Sequence, residues 1–232
     1  MEDFDKIEEL IEIAEKNNIS LAQVVINREI DLTEKSEEEV RDKMRYSLQV
    51  MRESIEKGLN EDVKSMSGLT GGDAKKVEKA RKEGKSLTGD LFSRILANTL
   101  AVSELNAAMG KIVACPTAGS CGILPGSLIT IAAENDFSDE EIIDALFVAS
   151  GIGVVIAKQA SVSGAAGGCQ AECGSASSMT AAAITYLMGG SHEEVAAAAA
   201  IALKNLLGEM LCQIHLKKLH LVVWLLHQPL VK

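Results

Sequence analysis

Residues 138–156 read S-D-E-E-I-I-D-A-L-F-V-A-S-G-I-G-V-V-I, and the reading of this run decides the fold. Ser138 followed by Glu141 is a capping box, in which the hydroxyl accepts from the Glu141 N–H and the carboxylate reaches back to the Ser138 N–H. Ile142, Ile143, Leu146, Phe147 and Val154 then recur at helical spacing. Val154-Val155-Ile156 is the one tempting strand of the chain, but the helical pattern continues on both sides of it. Gly151 and Gly153 lower helix stability, so close packing is the expected reason for them. The run is read as one long helix.

The same signals recur in both directions. Ser36 and Glu39 form a second capping box ahead of Val40, Met44, Leu48, Met51 and Ile55, with Gly58 expected at the C-terminal cap. Ser191 and Glu194 form a third, ahead of an alanine run at 196–200 and Leu203–Leu207. Further helices are expected over 2–16, from Ser20, over 75–85, 90–109 and 126–133, and over 175–188. No alternating run flanked by hairpin turns and no βαβ rhythm interrupts them. Apolar residues make up 47% of the 232 and aromatics only 3%, so the core must be aliphatic and alanine-rich. The expected fold is all-α: a multi-helix domain with an Ala/Gly-rich core and Gly/Cys loops forming one site.

A formal net charge of −10 argues against a nucleic-acid partner, whose binding face would be basic. The opening Met1-Glu2-Asp3-Phe4-Asp5 is acidic where a secretory signal would be positive. No uncharged apolar run reaches the length of a membrane span. The expected setting is cytoplasmic, with no membrane contact, and there the five cysteines serve as thiols or metal ligands rather than disulfides.

Four of those five cysteines, and ten of nineteen glycines, fall between Gly110 and Gly174. Residues 114–122 read A-C-P-T-A-G-S-C-G, and residues 163–179 read S-G-A-A-G-G-C-Q-A-E-C-G-S-A-S-S-M. Neither Cys115/Cys121 nor Cys169/Cys173 has zinc-ligand spacing. Histidine is almost absent before residue 209, which weakens every reading that needs a positioned imidazole. An iron–sulfur cluster fits better, because it takes thiolates from separate segments wrapped in small residues. The competing reading is that each cysteine is a small buried hydrophobe; the concentration in two glycine-rich segments favours function. The turn S-M-S-G-L-T-G-G-D at 65–73 either lines a site or merely connects two layers. Lys158, ahead of a Ser/Gly segment, reads as a helix-end cation before a pyridoxal-phosphate lysine, since no strands are expected. Gly84-Lys85-Ser86 fails as a phosphate loop because Lys79 stands where its first glycine should be.

The chain resembles the alpha chain of bacterial iron–sulfur-dependent L-serine dehydratase over about nine tenths of its length. The resemblance is carried by S-G-L-T-G-G-D at 67–73, P-T-A-G-S-C-G at 116–122, S-G-A-A-G-G-C-Q-A-E at 163–172, S-S-M at 177–179, L-M-G-G-S at 187–191 and K-N-L-L-G at 204–208. It implies a 4Fe–4S cluster with three protein thiolates and one open iron that polarises the serine hydroxyl. It also implies a base for the Cα proton, which the chain does not place, and release of pyruvate and ammonia. Cys169 matches the first ligand, and Thr117, Gly119, Ser120 and Cys121 match the loop that holds the substrate carboxylate. The implied partners are L-serine and a beta chain, in a heterodimer or higher oligomer.

After K-N-L-L-G the family carries a C-D-P…V-P-C stretch with two further ligands, whereas this chain reads E-M-L-C-Q-I-H-L-K-K. Cys212 falls near the first of those cysteines without its Asp-Pro, and no cysteine follows. Beyond Glu209 there is no acidic residue, and three of the four histidines cluster there. The expected organisation is a family-like helical domain over 1–208 and a divergent tail over 209–232, arising from truncation or a frame change. The chain as written is then expected to yield no pyruvate. A reading of a different class is a cluster-less helical protein derived from this family that binds a partner without catalysis.

Overall fold

A computed structural model describes residues 3–205. Within them the regular secondary structure is entirely helical: α1 (Ile7–Asn17), α2 (Leu21–Thr33), α3 (Glu37–Asn60), α4 (Asp73–Lys82), α5 (Asp90–Ala107), a 3₁₀ turn (Ala118–Ser120), α6 (Ile123–Glu134), α7 (Asp139–Gln159), α8 (Gly164–Cys169), a π turn (Gln170–Gly174) and α9 (Ser175–Leu187). A tenth helix, α10, starts at His192 and runs through residue 205, the last one described. The all-α expectation holds. Among the described residues no helix is long and apolar enough to cross a membrane.

The serine caps do what the sequence assigns them. Ser36 and Ser138 close full capping boxes with Glu39 and Glu141, and Ser191 exchanges the same pair of bonds with Glu194. Ser20 caps α2 by accepting from the Gln23 N–H at 3.1 Å. The first helix begins five residues later than expected, at Ile7, because residues 3–6 are not helical; Phe4 is still buried in the core.

The central element is α7, with twelve buried residues from Ile142 to Ile156. It packs against α9, α2 and α3, while α5 packs against α3, α4 and α6. Gly151 and Gly153 serve the close approach expected of them: a Cβ on Gly151 would meet the Val25 side chain at 2.6 Å, and one on Gly153 would meet Met179 at 3.0 Å. Gly58 departs from expectation. It is not a cap, since α3 runs on to Asn60, and it lies so close to the Ala101 backbone that any side chain would overlap it. Here glycine allows α3 to cross α5 at backbone contact.

Lys158 is the helix-end cation the sequence suggests. Its Nζ donates to Asp3 Oδ2 at 3.0 Å, the Phe4 carbonyl at 2.9 Å and Asp5 Oδ1 at 2.5 Å, pinning the N-terminal segment across the end of α7. An amine held by two carboxylates at a helix end suits charge pairing and not Schiff-base chemistry.

Candidate active site

The end of α5 is the framework. Glu104, near the C-terminal end of α5, is only 7% exposed. Its carboxylate accepts from the backbone N–H groups of Gly72 (3.0 Å), Asp73 (2.7 Å) and Ala74 (3.3 Å), the first donors of α4. These are groups a helix leaves unpaired, and a carboxylate suits the positive end of the dipole. The S-G-L-T-G-G-D turn is thereby tied to α5, so it forms part of the site's frame. Two residues further on, Asn106 Nδ2 donates to the Ala118 carbonyl at 3.0 Å and ties down the first cysteine loop.

That loop divides into an inner and an outer half. The Cys115–Pro116 peptide is cis. Ser120 is buried and its hydroxyl donates to the Cys115 carbonyl at 3.1 Å. Cys121 is fully buried against Ile55 and Val102. Burial pushes the Cys115 thiol up to about 12, with Cys121 adding to it, and pushes Cys121 up to about 11. Both thiols stay protonated near neutral pH, whereas a ligand or nucleophile must be thiolate. Ala118 and Gly119 form the exposed crest, and Thr117 is half-buried beside them.

The second cysteine segment is not the open loop the sequence suggests. Cys169, Gln170 and Gly174 have right-handed helical dihedrals, so α8, the π turn and α9 run on from one another, with a kink at Gly168 (φ 70°). Small side chains let the turn widen to π geometry, a form frequent at functional sites. Side-chain anchors fix it: Gln170 Nε2 donates to the Leu203 carbonyl at 3.0 Å and Ser178 Oγ to the Ala199 carbonyl at 2.9 Å, both on α10. Cys169 is exposed, Cys173 is half-buried, and their sulfurs are 3.6 Å apart.

The two segments meet. Thr117 Oγ1 donates to Glu172 Oε1 at 2.7 Å, joining the crest of the first segment to the turn that carries Cys169. Of the residues singled out from sequence, Thr117 and Gly119 meet Glu172 at this junction, and Cys169 lies three residues before Glu172 in the same turn; the side chains of Ser120 and Cys121 are buried. Cys212 lies outside the described residues. Glu104 and Glu172 were not anticipated; the signal for Glu104 was a lone acid within an apolar helical run.

As a test for a cluster, the donor type fits: accessible soft thiols stand beside small residues. The donor number does not close, since among the described residues no three His, Cys, Asp or Glu side chains converge to hold a metal ion. The burial pattern also predicts a chemical contrast. Iodoacetamide at pH 7.5 should label exposed Cys169 in the native protein on the order of a hundredfold faster than Cys115 or Cys121, because those two thiols are buried and held protonated. Equal labelling by peptide mass spectrometry would contradict the inward placement.

A family model described as "Serine dehydratase alpha chain" matches residues 16–214. The chain is 47% identical over 205 residues to the probable L-serine dehydratase alpha chain of Bacillus subtilis (strain 168), covering 88% of this chain and 68% of that one. It is 40% identical over 200 residues to the L-serine dehydratase alpha chain of Peptoniphilus asaccharolyticus, covering 86% and 68%. Against L-serine dehydratase TdcG of Escherichia coli (strain K12) the identity is 34% over 216 residues, with 89% of this chain and 46% of that protein covered.

Proposed function

Since the chain belongs to the serine dehydratase alpha chain family, we propose that it is the alpha subunit of a lyase that converts L-serine to pyruvate and ammonia through a 4Fe–4S cluster. The observation that carries this reading is the Thr117–Glu172 bond, which brings the P-T-A-G-S-C-G and G-C-Q-A-E motifs into one place beside an exposed thiol.

Cys169 is the thiolate proposed to hold the cluster, which when bound supplies an open iron as Lewis acid for the leaving hydroxyl. The chain's own residues bind and orient. The exposed crest at Ala118 and Gly119, with the Thr117 hydroxyl beside it, faces the substrate carboxylate in this reading; Ser120 and Cys121 contribute backbone from a buried base. Glu104 and Asn106 hold the two neighbouring turns on one helix end, which keeps the two segments in register. A beta chain completes the machinery. Residues 1–208 are proposed as the family-like unit that carries Cys169 and the 117–121 crest, with a second thiolate supplied beyond it, at Cys212 or its family equivalent, and the cytoplasm as the setting.

Two forms test the reading: the chain as given, and residues 1–208 continued by the family's C-D-P…V-P-C stretch. After anaerobic iron–sulfide reconstitution with a beta chain, the second form should absorb near about 400 nm, as Cys-bound clusters do, and release pyruvate from L-serine. The first should release none. A folded, colourless, iron-free second form would support the non-catalytic binding protein instead.

A further inference from the structure

Glu172 lies between the two motif segments, and its carboxylate has more to do than accept one bond. Oε1 takes the Thr117 hydroxyl at 2.7 Å. Oε2 is packed against two backbones: a Cβ built on Gly119 would lie 2.7 Å from it, and one built on Gly164, at the start of α8, would lie closer still. Neither glycine needs its identity for a left-handed conformation; positive φ in this stretch belongs to Gly168. The absence of side chains at 119 and 164 therefore serves the carboxylate. Glu172 is half-buried.

We infer that Glu172 is a positioning residue: its carboxylate locks the 117–119 crest onto the turn that carries Cys169, and Gly119 and Gly164 are the space it occupies. The inference rests on the proposed role of that crest in holding L-serine, but the lock itself does not depend on that role. A hydrogen bond between a hydroxyl and a carboxylate is stronger than a neutral pair. It joins segments 55 residues apart in sequence. Without it, the crest is held by Asn106 on Ala118 and by bonds within its own loop: the Cys115 N–H and Ser120 Oγ to the Thr117 carbonyl at 3.3 and 3.5 Å, and Ser120 Oγ beside the Thr117 hydroxyl at 3.3 Å.

Hydrogen exchange with mass spectrometry on the full chain, with and without L-serine, tests it. In Glu172→Ala, amides of 117–121 should exchange on the order of tenfold faster, as local opening becomes cheaper, while peptides from α7 stay at the rate of the unsubstituted chain and report an intact fold. Glu172→Gln keeps an acceptor for Thr117 and should restore slow exchange. Gly164→Ala should mimic Glu172→Ala, yet add no further increase when combined with it, because the clash is with the carboxylate. L-serine should slow exchange at 117–121 in the unsubstituted chain and in Glu172→Gln, but not in Glu172→Ala. Unchanged exchange at 117–121 in Glu172→Ala overturns the lock. A Gln variant that keeps slow exchange but loses the L-serine effect overturns a purely positional role and points to the charge. Absence of any L-serine effect in the unsubstituted chain counts against the substrate reading alone, and the ligand-free rates still decide the lock.

Discussion

Glu104→Ala is expected to lower the free energy of unfolding by about 3 kcal/mol, because it leaves buried N–H donors without partners. In the folded protein the three N–H groups of Gly72, Asp73 and Ala74 all point to this one carboxylate, and Ala74 is fully buried. In the unfolded chain the same groups are solvated, so the loss falls on the native state. For a chain of this size the thermal midpoint should fall by roughly 10 °C. Glu104→Gln keeps one oxygen acceptor but turns an amide donor towards other donors, and should cost about half as much. Denaturant unfolding followed by circular dichroism measures both. A loss below about 1 kcal/mol for the alanine variant, the ordinary worth of a single net hydrogen bond, would show that water reaches the start of α4 and that Glu104 is not its cap.

Glu104 also marks where sequence reading stops. Capping boxes at Ser36, Ser138 and Ser191 are local, with partners three positions apart, so sequence alone identifies them and the helices they open. The close packing at Gly151 and Gly153 was legible for the same reason: glycine inside an apolar helix has few other uses. Gly58 misleads because a glycine near a helix end has two uses, cap or crossing, and the choice depends on Ala101, which is 43 residues away. The contacts that join the segments of the site to one another are of this distant kind. Glu104 reaches back about thirty residues and Thr117 reaches forward 55. Glycine and cysteine density points to these two segments, but it cannot separate buried Cys121 from exposed Cys169. It also suggested a loop where small residues in fact continue a helix through a π turn.

The cysteine contrast is the larger of the two expected effects. Cys169 and Cys173 differ in role under the proposed function although their sulfurs are 3.6 Å apart. Cys169 is the exposed one, at the start of the π turn and one residue before Gln170, whose amide fixes the turn to α10. Cys173 is half-buried one turn on. Proximity alone would make the two thiols interchangeable; motif position does not. Cys169→Ala should remove the cluster altogether, whereas Cys173→Ala should keep most of the iron.

The most direct measurement is therefore the iron bound per chain, with absorbance near about 400 nm as expected of thiolate-held clusters, after anaerobic reconstitution. It compares residues 1–208 continued by the C-D-P…V-P-C stretch with the C169A and C173A variants of the same protein. Loss of iron in C169A, with most of it retained in C173A, is the predicted result. Equal loss in both variants, or full iron in C169A, would contradict the assignment of Cys169 as the thiolate around which the two motif segments form one site.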